Sequence, residues 1–355
     1  MPSIAAPAKV LVTGASGFLA TNVTKSLLDA GYTVVGTVRS SPKGEYLNKL
    51  YNTPKFSYAI VEDIEKSDAF DEVVKTGAFE GIVHTASPFH VNDGDPQAMV
   101  GPAVNGTTNI LKTTLKFGLT VKRVVITSSA IAMLPLQPPR GAYTWSEKDW
   151  NDKDIRDFEA AGSNASGGLA YTASKTLAER AAWDFVAEHK DAISWDLSVI
   201  NPSYIFGPII HQVSSPEKLN TSHKLFFDAI MAKQEALSPE SVGYYFGGLV
   251  DVRTVAKAHS QALAVEEAGG KRFLVSDAQW STQDIYDALN KAGVPNVPKG
   301  YPGAQHVETY NVHDNTLSRQ VLGLEFPSLD SIAVDTYNSL EERFPGSFIA
   351  TNAEV

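Results

Sequence analysis

A strand, a glycine turn and the start of a helix follow one another without a break between Lys9 and Ala20. Val10, Leu11 and Val12 form a continuous apolar run, as a strand buried on both faces requires. Gly14 and Gly17 come next, with Ala20 three residues later, and residues 21–30 read as a helix closed by Gly31. Backbone N–H groups converge at such a turn, where the helix dipole favours negative charge. Gly14 permits the tight turn, Gly17 lets a pyrophosphate approach, and Ala20 lets helix and strand pack closely. The spacing Gly-x-x-Gly-x-x-Ala is not the commoner Gly-x-Gly-x-x-Gly. It nevertheless opens a chain that keeps alternating strand and helix, which points to dinucleotide binding rather than a merely structural turn.

The alternation continues with expected strands at 33–38, 56–61, 81–86, 121–127 and 195–200, and expected helices at 67–76, 97–117 and 171–188. This pattern predicts an α/β fold with a doubly wound parallel sheet of Rossmann type. Ligands of such sheets bind beyond the C-terminal strand ends. From about residue 201 the alternation fails. Residues 201–208 read as a loop, 251–264 as a helix, 272–275 as one more strand, and 282–292 and 331–343 as helices. The expected division is a nucleotide-binding domain of residues 1–200 plus about 249–276. A smaller, discontinuous substrate domain takes about 201–248 plus 277–355. Residues 161–168 read as a mobile loop.

The end of the second strand addresses the cofactor. An NAD site usually carries Asp or Glu there for the ribose 2′-hydroxyl. Here stand Thr37, Val38, Arg39 and Ser40, with Lys43 close behind. A cation suits a 2′-phosphate, which Arg binds through two parallel hydrogen bonds. This favours NADPH/NADP+ over a solvated surface Arg. Asp63, after the third strand, is either an adenine contact or a helix N-cap. Tyr171 and Lys175 form a Tyr-x-x-x-Lys pair on one helix face. A free Tyr titrates near 10, and a nearby ammonium is expected to lower that value toward neutrality. Tyr51-Asn52-Thr53-Pro54-Lys55 has the same spacing, but Pro54 disfavours a continuous helix. Ser128 and Ser129 follow the fifth strand, where a hydroxyl can bond a carbonyl oxygen as charge develops. His84 and His90 could hint at a metal. Without a second ligand at helical spacing, a satisfied core histidine is the better reading, and no metal is expected.

These residues resemble the extended short-chain dehydrogenase/reductases. Several stretches narrow the resemblance: Val38-Arg39-Ser40, His84-Thr85-Ala86-Ser87-Pro88, Pro102-Ala103-Val104-Asn105-Gly106, Asn201-Pro202 with Phe206-Gly207-Pro208, and Val250-Asp251-Val252-Arg253. They are similar to the dihydroflavonol-reductase-like group, nearest the yeast and fungal NADPH-dependent ketoreductases of methylglyoxal reductase type. The resemblance implies a catalytic set of Ser129, Tyr171 and Lys175, with Tyr171 as proton donor. It implies a cofactor site that takes in Gly14, Ser16, Gly17, Phe18, Leu19, Arg39, Lys43, Asp63, Ile64, Ala86, Ser87, Tyr171, Lys175, Pro202, Ile205 and Ser222. It implies a substrate pocket at Phe89, Ser129, Leu134 and Tyr204.

The expected activity is reduction of a small-molecule ketone or aldehyde to an alcohol. Two alternatives stay open: a nucleotide-sugar epimerase or dehydratase of the same fold, and a non-catalytic dinucleotide-sensing regulator. The net charge of −10 over 355 residues argues against nucleic acid as a partner. With no cysteine, disulfides and thiolate-bound zinc are excluded. No signal-peptide core or membrane-length apolar run is seen, so a cytoplasmic location without membrane partners is expected. Monomer and homodimer are both left open.

Overall fold

The computed structural model describes residues 3–87, 96–138, 143–305 and 311–348. Among them are strands β1 (Lys9–Thr13), β2 (Thr33–Val38), β3 (Phe56–Ile60), β4 (Gly81–His84), β5 (Arg123–Thr127) and β6 (Thr144–Trp145). The later strands are β7 (Asp196–Pro202), β8 (Tyr204–Phe206), β9 (Tyr245–Asp251), β10 (Lys271–Val275), β11 (Ala278–Ser281) and β12 (Val312–His313). The helices of the first half are α1 (Phe18–Asp29), α2 (Ser41–Tyr51), α3 (Asp71–Gly77), α4 (Val100–Phe117), α5 (Asp152–Ala161) and α6 (Gly167–Glu188). Those of the second half are α7 (Thr221–Met231), α8 (Pro239–Val242), α9 (Val252–Ala264), α10 (Thr282–Lys291), α11 (Thr316–Leu322) and α12 (Leu329–Arg343).

Seven strands form one sheet in the order β10-β7-β5-β4-β1-β2-β3, and every pairing in it is parallel. The doubly wound α/β fold expected from the alternation is therefore present. Its strands are apolar on both faces, as parallel sheets covered by helices must be. Val10, Val12, Val34, Val83 and Val125 belong to one buried cluster, whereas Leu11, Ile82, Val124 and Ile126 belong to another. A third cluster gathers Phe206, Phe226, Leu249, Trp280, Tyr286 and Leu340 from later in the chain. It lies beside a second, three-stranded sheet of order β11-β9-β8.

Several elements differ from the sequence reading. Residues 201–208 are not a plain loop: β7 runs on through Pro202, and β8 follows at once. β9 is not among the strands expected from the sequence, because Gly247 and Gly248 dilute its strand propensity. Gly248 is there for space, since a Cβ at that point would lie 2.0 Å from Ser276 Oγ. α2 begins with Pro42 in its first turn, a position where proline starts a helix rather than breaking it. Residues 161–168 are the end of α5, a 3₁₀ turn over Gly162–Asn164 and the start of α6. Phe89 and His90 lie outside the described residues.

One buried ion pair ties the sheet to its helices. The Arg123 side chain is fully buried and grips Asp196 through two bonds, Nε to Oδ1 at 2.6 Å and Nη2 to Oδ2 at 2.9 Å. Its remaining donors reach the carbonyls of Ala262 at 2.7 Å and Glu266 at 3.0 Å, at the end of α9 and just beyond. Removing one partner of such a pair leaves an uncompensated buried charge, which costs about 3–5 kcal/mol. Arg123→Met is expected to lower unfolding free energy by about that amount in urea titrations at neutral pH. A loss below about 1 kcal/mol would place the stability elsewhere.

Candidate active site

The glycine turn after β1 is built as the sequence implies. Gly14 has φ +66°, and a Cβ on it would lie 3.0 Å from Ala86 Cα, so the backbone comes hard against the residues that follow β4. Its N–H donates to Thr37 Oγ1 at 3.0 Å, and the Ala15 N–H donates to the Thr37 carbonyl at 2.9 Å, which fastens the turn to β2. Gly17 is exposed and occupies the N-cap of α1, with no side-chain cap hydrogen bond among the described residues. These features fit a dinucleotide phosphate: a cradle a side chain would fill, and donors left for an anion. Ser16 and Leu19 are half-buried at this turn. The Phe18 ring turns the other way, into the apolar cluster of the later chain, 4.4 Å from the His223 ring and 5.6 Å from that of His211. Ser222 precedes His223 in the first turn of α7.

Arg39 is exposed just past β2 and makes no ion pair among the described residues. Lys43 is half-buried in the first turn of α2. Asp63 is exposed and caps a turn rather than a helix, its Oδ1 accepting from the Glu65 N–H at 2.9 Å. The Ile64 side chain belongs to a core cluster. Pro202 ends β7 and is buried, and Ile205 in β8 is partly buried between two clusters.

Ser87, Lys175 and Tyr171 come together on the C-terminal edge of the sheet. Lys175 Nζ donates to Ser87 Oγ at 2.8 Å and lies 5.8 Å from the centre of the Tyr171 ring. Burial pulls the Lys175 pKa down to about 8. Burial, with a smaller contribution from nearby Tyr204, pushes Tyr171 up to about 12. The lowered Tyr171 pKa expected from the pairing is thus not found. Desolvation of a phenolate outweighs an ammonium whose own charge is disfavoured by the same dry surroundings. His84 is neutral for the same reason, with its pKa pulled to about 3 by burial and by Lys175. Its Nδ1 bonds Thr13 Oγ1 at 2.9 Å. Among the described residues no group of three or more His, Cys, Asp or Glu could hold a metal.

The two serines after β5 divide. Ser128 is buried, and its hydroxyl donates to Glu179 Oε2 at 2.5 Å. Ser129 is half-buried, and among the described residues its Oγ accepts from the Ile131 N–H at a long 3.4 Å. Tyr204 stands among aromatic rings, 5.6 Å from Trp280 and 6.3 Å from Phe246, which itself stacks on Trp280 at 4.6 Å. Leu134 is buried in a small cluster with Ala130, Met133, Trp145 and Leu274. The sequence reading gave no role to Phe246, Glu179 or Arg272. Phe246 lies on the glycine-rich β9, and the partners of Glu179 are distant in the chain. The one available signal was that Glu179 continues the helical spacing of Tyr171 and Lys175.

This fold and site define a nucleotide-binding oxidoreductase of the short-chain type. Residues 10–275 match the model of the NAD dependent epimerase/dehydratase family, and the chain belongs to that family. It is 37% identical over 344 residues to the NADPH-dependent methylglyoxal reductase GRE2 of Saccharomyces cerevisiae, covering 93% of this chain and 97% of that protein. It is 36% identical over 346 residues to the ketoreductase azaE of Aspergillus niger, covering 94% and 98%. The solved structure of yeast methylglyoxal/isovaleraldehyde reductase Gre2 complexed with NADPH aligns with a TM-score of 0.83 at 36% identity, over 94% of this chain and 98% of that one. A UDP-glucose 4-epimerase from Thermotoga maritima, 17% identical with a TM-score of 0.66, shares the fold alone. Among the described residues no helix is long and apolar enough to cross a membrane.

The depressed Lys175 pKa has a consequence for stability. The unfolded chain holds this proton up to about 10.5, whereas the folded chain releases it near 8. The folded state is therefore penalised below pH 8, and the penalty is relieved as pH rises from 8 to 10.5, by at most about 1.4 kcal/mol per pH unit. Lys175→Met is expected to be more stable than wild type at pH 7, with the difference shrinking toward pH 10.5. Urea denaturation across that range measures it. A difference that does not change with pH would show that Lys175 carries its full charge in the fold.

Proposed function

We propose that this protein is an NADPH-dependent carbonyl reductase that converts a ketone or aldehyde to an alcohol, with Ser129, Tyr171 and Lys175 as its catalytic set. The observation that carries the reading is a continuous line of contacts: Gly14 packs on Ala86, Ser87 follows, and Ser87 holds Lys175 beside Tyr171. It joins a phosphate cradle to a desolvated acid on the edge where such sheets bind ligands. When bound, the reduced nicotinamide supplies the hydride. Tyr171 is protonated at neutral pH, the state a donor to the carbonyl oxygen needs. Ser129 donates a hydrogen bond to that oxygen, a role Ser128 is not free to take because it is committed to Glu179. As Tyr171 gives up its proton, a phenolate forms next to Lys175. The new negative charge favours the ammonium, and the ammonium in turn stabilises the phenolate. Tyr204 and Phe246 would face an aliphatic or aromatic substituent, together with Leu134 and with Phe89 outside the described residues.

Arg39 and Lys43 would hold the 2′-phosphate, while Ser16, Gly17, Phe18 and Leu19 would face the pyrophosphate through their backbone. Asp63, Ile64, Pro202, Ile205 and Ser222 complete the proposed cofactor site. In this reading residues 1–200 with about 249–276 bind the nucleotide, and residues 201–248 with 277–355 shape the substrate pocket. The participation of β10 in the large sheet supports that division. The reaction is placed in the cytoplasm, on a small-molecule substrate, with neither nucleic acid nor membrane as partner.

Two measurements test the reading. Tyr171→Phe is expected to cut kcat by about 10²–10⁴-fold while NADPH affinity stays within a few-fold. The assay is NADPH oxidation over a panel of carbonyl compounds, and retention of more than a tenth of wild-type turnover would remove Tyr171 from the chemistry. Arg39→Asp is expected to lower the NADPH-to-NADH ratio of kcat/KM at least tenfold, because a charge-assisted hydrogen bond contributes about 1.5–3 kcal/mol. An unchanged ratio would move the phosphate site elsewhere.

A further inference from the structure

Glu179 is fully buried on α6, four residues beyond Lys175 and eight beyond Tyr171. Its carboxylate is the point at which four elements meet. Oε2 accepts from Ser128 Oγ at 2.5 Å, at the end of β5, and from Asn201 Nδ2 at 2.6 Å, near the end of β7. Oε1 accepts from Arg272 Nε at 2.5 Å, on β10, and from Trp183 Nε1 at 3.4 Å. The network reaches Ser129 directly, because Asn201 Nδ2 also donates to the Ser129 carbonyl at 3.0 Å. It reaches the segment before α5 as well. Arg272 Nη1 bonds the carbonyls of Glu147 at 3.0 Å and Asp149 at 2.7 Å, and the guanidinium stacks on Trp150 at 3.7 Å. Glu179, Lys175 and Ser128 also line a common cavity of about 20 Å³.

A buried ion pair is weak evidence for stability, since well-packed apolar residues of similar volume often do as well. Directional bonds do something apolar contacts cannot, which is to fix a helix in both rotation and translation against the strand ends. Ser129 comes from the sheet, whereas Tyr171 and Lys175 come from α6. Their separation depends on how α6 is seated. We propose that Glu179 is a positioning residue, whose bonds to Ser128, Asn201 and Arg272 hold Ser129 at working distance from Tyr171 and Lys175. This rests on the carbonyl-reductase reading of the same site.

The test compares wild type with Glu179→Asp and with the double variant Glu179→Met/Arg272→Met, which removes both charges together. For each protein kcat and KM are measured on one carbonyl substrate, NADPH Kd by fluorescence titration, and Tm by calorimetry. The expected result for the double variant is a Tm within a few degrees of wild type, a Kd within about threefold and kcat reduced at least tenfold. Misplacement by about 1 Å can cost 10²-fold. Glu179→Asp keeps the charge, shortens the arm by one methylene and is expected to lose kcat by a smaller factor, with KM and Kd little changed. Either variant keeping more than half of wild-type kcat overturns the proposal. So does a loss of kcat in Glu179→Asp matched by an equal loss of NADPH affinity, because that marks general disorder of the site. If the double variant does not fold, Glu179→Asp decides alone. A wild type without NADPH-linked reduction across the carbonyl panel overturns the reductase reading itself. An active wild type with unimpaired variants overturns only the role given to Glu179.

Discussion

Seven parallel strands place a hard constraint on where chemistry can sit. A parallel neighbour is reached only by a crossover, so the chain leaves every strand at the same edge of the sheet. The glycine turn leaves β1 there, Ala86 and Ser87 leave β4, Ser128 and Ser129 leave β5, and Asn201 and Pro202 end β7. Residues scattered over nearly two hundred positions become neighbours because hydrogen-bonded register brings them level. Thr13 pairs with His84, and Thr127 pairs with Ile200. The close approach of Gly14 to Ala86 follows from the adjacency of β1 and β4, and it leaves no room for a side chain at the turn.

Dryness is the second organising fact. Where water is excluded, neutral forms win, and Tyr171, Lys175 and His84 all shift toward neutrality. An argument that pairs charges without counting desolvation misjudges the direction for Tyr171. The same dryness strengthens any charge that develops later, because little solvent is present to screen it. A site of this kind is quiet at rest and strongly responsive once a proton moves.

Much of the fold was legible in the sequence because its signals are local. Three apolar residues followed by spaced glycines define β1 and the start of α1 within a dozen positions. Tyr171 and Lys175 are one helical turn apart, so their partnership needs no knowledge of the sheet. The misses have physical causes of equal clarity. α2 hid behind Pro42 and Gly44, yet the proline sits in the first turn and the glycine makes room for the Tyr58 ring, which a Cβ would approach to 2.4 Å. Glu179 draws its partners from 22, 51 and 93 residues away, a distance at which no periodicity speaks. Which of Ser128 and Ser129 gives its hydroxyl to Glu179 was likewise beyond composition or spacing.

α6 carries Tyr171, Lys175 and Glu179 on 22 residues of unbroken helix, and this makes it a ruler. Each residue turns a helix by about 100° and advances it by about 1.5 Å. One residue gained or lost between Tyr171 and Glu179 would swing the two ends out of phase, so that stretch cannot change length by small steps. The chain between Ser129 and the start of α6 is tied at separate points instead, where Arg272 bonds the Glu147 and Asp149 carbonyls and stacks on Trp150, and where Leu134 and Trp145 join a buried cluster. A substitution on this helix is therefore tolerated far more readily than an insertion or a deletion within it.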